Sequence, residues 1–123
     1  MAKYVDGFVL PVPKKNIEAY RALAKKAAKI WIEHGALEYR ECVAEDMDVD
    51  MGIPFPQLTK IKKTETVVFA WIVYKSRTHR DRVLERVMND HRLTDMDPKA
   101  IPFDCNRMSF GGFDVMVEAK EKA

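Results

Sequence analysis

From Thr66 to Tyr74 the chain reads Thr-Val-Val-Phe-Ala-Trp-Ile-Val-Tyr, a run without a charge, where a strand solvated on one side would alternate apolar with polar positions. The run predicts a strand apolar on both faces, and such a strand needs cover on both sides of its sheet. Upstream, Tyr4 to Val12 is a β-rich stretch interrupted by Asp6-Gly7 and ended by Pro11 and Pro13. From Pro13 to His34 apolar positions recur at three and four, through Ile17, Tyr20, Ala24, Ala27, Trp31 and His34, with charged residues on most of the remaining surface. This is a long amphipathic helix, and Gly35 is placed to end it in a left-handed conformation.

Ala36 to Ala44 alternates well enough for another strand, with Leu37, Tyr39, Glu41 and Val43 on one side, so its more apolar face carries a charge. The pattern then breaks over residues 45–64, a stretch acidic at its start, with Gly52, Pro54 and Pro56 in the middle and Lys60, Lys62 and Lys63 at its end. A loop of that length inside a compact domain is uncommon and is often functional. Ser76 is a suitable N-cap for a second helix with Leu84, Val87, Met88 and His91 at helical spacing, ending near His91. An irregular connection follows through Pro98, Pro102, Phe103 and Asp104, and a last strand is expected from Arg107 to Glu118, with Gly111-Gly112 at its centre permitting a bulge or close packing.

The order is β-α-β-β-α-β, the ferredoxin-like arrangement of an α+β protein: a four-stranded antiparallel sheet with both helices on one face. Four large side chains left in water on the other face, at ~1.5–3 kcal/mol each, would rival the ~5–15 kcal/mol stability of a whole domain. A face-to-face homodimer is the simplest remedy; the alternative is a 45–64 loop folded over that face, which its polar composition disfavours.

At 123 residues the chain suits a single domain, 1–123. A net charge of +2 with 33% charged residues lacks the basic excess of a nucleic-acid binder, and no nucleic-acid partner is expected. Lys3 and Asp6 interrupt any signal-peptide core and no apolar stretch approaches the ~18 residues of a membrane span, so a cytoplasmic protein without membrane contact is expected. Cys42 and Cys105 have no CxxC spacing and are expected as free thiols.

Tyr4-Val5-Asp6-Gly7-Phe8-Val9, the pair Glu41-Cys42, Glu65-Thr66-Val67-Val68-Phe69-Ala70-Trp71-Ile72, Ser76-Arg77, Pro102-Phe103-Asp104, Arg107-Met108 and Gly111-Gly112-Phe113 occur in an order that resembles the YbaA-like family of bacterial proteins of unknown function. The resemblance covers nearly the whole chain. It implies a dimeric α+β barrel, in which two ferredoxin-like sheets face each other, and it implies no activity. Enzymes and ligand-sensing domains share that fold, and fold does not choose among them.

Candidate chemistry is sparse. Asp6 and Glu41 each set a carboxylate on a strand among large apolar neighbours, the kind of position in which desolvation can raise a carboxyl pKa toward a working range. The plainer reading is a structural ion pair with Arg107 or Arg40, or a dimer contact. His34 and His91 lie on the apolar stripes of the two helices near their C-terminal ends, where a histidine also serves by capping carbonyls; His79, in the first turn of the second helix, is expected to be exposed. Should a pocket open between sheet and helices, Asp6, Glu41, His34, His91 and Arg107 are the catalytic candidates expected at it, with Tyr39, Trp71 and Phe103 as walls.

The run Asp46 to Gly52 departs from a calcium loop, since its glycine comes one residue late and Gln57 stands in the place of the glutamate, and the histidines form no HxxxH or HExxH pair. Neither a metal nor a nucleotide cofactor is expected. Three readings remain: a cofactor-independent enzyme acting on a small, partly apolar molecule, a non-catalytic binder or sensor of such a molecule, and a structural dimer that binds a protein through residues 45–64.

Overall fold

A computed structural model describes residues 2–122 of the chain. In chain order its elements are β1 (Tyr4–Pro13), α1 (Ile17–Glu33), β2 (Glu38–Val43), α2 (Phe55–Leu58), β3 (Glu65–Tyr74), α3 (Arg77–Met88), α4 (His91–Thr94) and β4 (Ser109–Asp114), with single 3-10 turns at Lys14–Asn16, Pro98–Ala100 and Cys105–Arg107. The strands form one sheet in the order β2-β3-β1-β4 with every neighbouring pair antiparallel. This is the ferredoxin-like topology. Among the described residues no helix is long and apolar enough to cross a membrane.

β3, the strand without alternation, is paired along both edges: with β1 from Tyr4 opposite Tyr74 to Pro13 opposite Glu65, and with β2 from Glu38 opposite Val73 to Val43 opposite Val68. Strand parity assigns the faces. Tyr4, Asp6, Leu10 and Val12 of β1 and Val68, Ala70, Ile72 and Tyr74 of β3 are buried beneath α1 and α3, which contribute Tyr20, Ala24, Ile30, Val83 and Val87. The core on this side divides into two clusters, one around Tyr4, Ile30, Ile72, Tyr74, Val83 and Val87 and one around Leu10, Val12, Tyr20, Ala24 and Val68, with Phe8 touching both.

The opposite face carries Val5, Val9, Phe69, Trp71, Val73 and Phe113, and Phe69 and Phe113 remain 43% and 62% exposed. The 45–64 segment reaches only one end of it, where the Phe55 ring of α2 lies 6.1 Å from that of Phe69. The loop thus covers part of the face and leaves most of it open.

The helix boundaries follow their caps. α1 ends at Gly35, φ +114°, with Ala36 N–H donating to the Trp31 carbonyl and Gly35 N–H to the Ile32 carbonyl, the paired bonds of a Schellman motif. Ser76 Oγ accepts from His79 N–H and starts α3. The second helix stops at Met88, short of the expected His91, because Asp90 accepts from Arg92 N–H and caps a separate turn, α4. β4 is shorter than residues 107–118: Asp104 caps a 3-10 turn that takes in Arg107, and at the other end Asp114 already faces Tyr4, the first residue of β1. The register of β4 is continuous through Gly111-Gly112, which therefore form no bulge.

At Gly35 the backbone, more than the space, excludes a side chain: a Cβ there would meet His79 Nε2 at 3.4 Å and Val83 Cγ2 at 3.6 Å. Gly35→Ala is expected to lower stability by about 1–2 kcal/mol, the cost of holding an L-residue at positive φ, as measured by urea unfolding.

Candidate functional site

Between the two apolar clusters the sheet and the helices do not meet, and a cavity of about 430 Å³ lies there. Phe8, Trp31, Tyr39, Leu84, Leu93 and Phe103 supply much of its wall. A site of this size, mostly apolar with a few converging polar groups, is the usual form of a small-molecule pocket. The polar groups gather at two carboxylates, Asp6 and Glu41.

Asp6 projects from β1 toward α3, where its Oδ1 lies 3.3 Å from Arg80 Nε. Arg80 Nη2 donates to the Tyr4 hydroxyl at 3.1 Å, the guanidinium stands 4.9 Å over the Tyr4 ring, and Nη1 reaches Asp81 at 3.0 Å. Burial pushes the Asp6 carboxyl above the usual carboxylate range, with Arg80 and the Tyr74 hydroxyl opposing it. The Tyr74 hydroxyl itself accepts from Trp31 Nε1 at 3.1 Å. Gly112, opposite Asp6 in the register, makes this arrangement possible: a Cβ there would overlap the Tyr4 hydroxyl and stand 2.6 Å from Arg80 Nη2. Close packing is the role of the second glycine.

Glu41 projects from β2 into the same cavity. The Tyr20 hydroxyl donates to its Oε1 at 2.6 Å and the Tyr39 hydroxyl to its Oε2 at 2.7 Å, so α1 and β2 each hold one oxygen of the carboxylate. Burial first, and the adjacent carboxylate second, push both phenols above their ordinary range. Each phenol keeps its proton and acts as a donor.

Of the five catalytic candidates, the structure brings Asp6 and Glu41 to the cavity and leaves His34, His91 and Arg107 away from its wall. His34 caps α1 with Nε2 2.8 Å from Asp90 Oδ2, and Asp90, held well below the usual carboxylate range by Arg92 and His34, ties the end of α1 to α4. His91 is exposed at the start of α4. Arg107 binds Glu65 at 2.6 and 3.1 Å and donates to the Lys60 carbonyl, at the end of the sheet remote from Asp6. The partner of Asp6 is therefore Arg80, in place of Arg107 or Arg40; Arg40 faces Trp71 on the open side of the sheet.

Among the expected walls Tyr39 and Phe103 line the cavity, whereas Trp71, one position out of phase with Ala70 and Ile72, points to the opposite face and donates to Glu38. His79 is half-buried, accepting from Lys75 N–H at 2.9 Å, where exposure was expected. Arg80 and Tyr20 are the cavity's polar groups that sequence reasoning missed, and Tyr39, expected only as an apolar wall, also donates to Glu41. A signal for Arg80 existed, because it precedes Val83 and Val87 by three and seven positions and so sits on the buried stripe of α3.

The family described as Protein of unknown function (DUF1428) matches residues 3–105. The chain belongs to this family. Relatives of the chain include the uncharacterized protein YbaA of Escherichia coli strain K12 and that of Shigella flexneri, each 40% identical over 116 residues, spanning 94% of this chain and 98% of theirs. Similar solved structures are a dimeric ferredoxin-like protein from an uncultured marine organism (TM-score 0.64, 12% identity, 97% of this chain and 100% of that one) and an uncharacterized NIPSNAP domain protein from Burkholderia xenovorans (TM-score 0.61, 13% identity, 96% and 99%). At such identities they speak for the fold of this DUF1428 chain alone. The matched residues include Asp6, Glu41 and Arg80.

Because its folded pKa is raised, Asp6 binds a proton more readily in the native state than in the unfolded chain, so its contribution to stability falls as pH rises from the unfolded value through the folded one. In denaturant unfolding of wild type and Asp6→Asn, the difference in unfolding free energy is expected to move in favour of the variant between about pH 4, near the ordinary carboxylate value, and pH 7.

Proposed function

We propose that this chain is a cofactor-independent cytoplasmic enzyme acting on a small, partly apolar molecule held between sheet and helices, with Asp6 as proton acceptor. The observation that carries this reading is the Asp6 carboxylate, buried 3.3 Å from Arg80 at the wall of a largely apolar cavity, where burial pushes its pKa up. A raised pKa makes Asp6 the stronger base and brings it nearer the working pH. In the step it would perform, the substrate gives a proton to an Asp6 oxygen, Asp6 becomes neutral, and the negative charge left on the substrate is stabilised by the Arg80 guanidinium, which remains cationic throughout. Burial of both side chains beside the apolar wall strengthens that attraction.

The working unit in this proposal is a homodimer. Phe69, Trp71, Val73 and Phe113 form an apolar surface on the sheet face without helices, and association of two such faces would remove them from water at about 25 cal/mol per Å² of apolar area buried. The dimeric description of a protein with the same fold is consistent with this.

Native mass spectrometry of protein purified gently from cells tests both statements. A mass of two chains plus a small molecule is expected. A bare dimer would argue against a ligand-holding cavity, and a bare monomer against the interface as well. If wild type converts the retained molecule and Asp6→Asn does so equally fast, Asp6 is not the base.

A further inference from the structure

Resting on the reading of the cavity as a substrate site, we propose that its ligand is a monocation, an amphiphilic amine whose ammonium group sits against Glu41 and whose apolar body extends toward Asp6. The charged side chains lining the cavity are two carboxylates, Asp6 and Glu41, and one guanidinium, Arg80. The Arg80 charge is already engaged by Asp6 and Asp81. Glu41 has no such partner: none of the ion pairs formed among the described residues includes it. Its two hydrogen bonds come from neutral phenols, which orient the carboxylate without cancelling its charge.

A half-buried carboxylate with no ion-pair partner among the described residues, at the wall of a largely apolar cavity, is a recognition element for a cation. The rings beside it reinforce that choice. Tyr39 lies 6.0 Å from Trp31 and Tyr20 lies 5.6 Å from Phe103 between ring centroids, so aromatic surface flanks the carboxylate on both the α1 and β2 sides. Carboxylate and π-faces together are the chemistry that binds an ammonium group. Arg21 and Lys25 flank an outer groove that shares Glu41 with the cavity, but both are exposed, where water and salt screen them.

The register also bounds the length of the ligand. Asp6 stands opposite Ile72 and Glu41 opposite Ala70, so the two carboxylates lie two strands and two residues apart. At about 4.8 Å between strands and about 3.4 Å per residue, their Cα atoms are on the order of 12 Å apart. An amine that reaches from Glu41 to Asp6 therefore carries several carbons between its nitrogen and the group that loses a proton.

Calorimetric titration of the wild-type protein at pH 7 with phenylbutylamine, phenylbutanol and phenylbutyrate tests this, because the three share one apolar body and differ in the charge of the head group. The amine is expected to bind about tenfold tighter than the alcohol, and the acid weakest. Glu41→Gln is expected to erase the preference for the amine while leaving alcohol binding in place. Should that variant not fold, Tyr39→Phe keeps the carboxylate and is expected to keep the preference; its loss there overturns the assignment. An alcohol or acid that binds as tightly as the amine, or a Glu41→Gln protein that still prefers the amine, contradicts the cationic ligand and leaves the cavity as a site. Absence of binding by all three contradicts the cavity as a small-molecule site and the cationic ligand with it.

Discussion

β3 is apolar on both faces and hydrogen-bonded along both edges, and the other elements are arranged by the need to cover it. β1 and β2 complete its edges; α1 and α3 take the face bearing Val68, Ala70, Ile72 and Tyr74. Among the described residues, the face bearing Phe69, Trp71 and Val73 is met at one end by Phe55 of the 45–64 segment and otherwise stays largely open. One strand thus separates a covered side, which holds the cavity, from an apolar side suited to association.

Cover on the helix side is uneven, and that unevenness creates the cavity. The two clusters pack the opposite ends of the sheet and leave a gap at Asp6, Phe8 and Glu41. Two carboxylates beside an apolar gap are tolerated for different physical reasons. Asp6 has an adjacent guanidinium, which lowers the penalty of burial without cancelling it. Glu41 has two short hydrogen bonds from tyrosines on separate elements and, among the described residues, no ion-pair partner. Gly112 admits Tyr4 and Arg80 to the first arrangement, so a backbone position in β4 is tied to the electrostatics of β1.

Much of the fold was legible because it is written in short-range patterns. The unbroken apolar run gave the two-faced strand, the period of Ile17, Tyr20, Ala24 and Trp31 gave α1, and Gly35 and Ser76 marked the helix ends they occupy. The elements whose limits moved were those decided by pairing partners or caps, such as β4, which stops where β1 begins. The site was legible in part. Asp6 and Glu41 stood out as charges among apolar strand neighbours, but which sheet face meets the helices, and so their meeting at one cavity, was set by tertiary packing that strand patterns do not encode. His34, His91 and Arg107 were drawn in by residue type, while their placement depended on Asp90 and Glu65, partners distant in sequence. Trp71 shows the same limit from the other direction: on a strand apolar on both faces, periodicity does not tell which side chain meets the helices. Arg80 lay within reach as a charge on the buried stripe of α3, and its pairing with Asp6 required the tertiary contact.

If burial beneath the helices turns Asp6 into a proton-transfer group, its ionisation in the native protein must show it. Carbon-detected NMR titration of the Asp6 side-chain carboxyl in the intact protein reads this directly. A midpoint above the ordinary aspartate value of about 3.9 is predicted. A midpoint at or below that value would mean that Arg80 outweighs burial, and the carboxylate would then be a structural ion pair instead of a base.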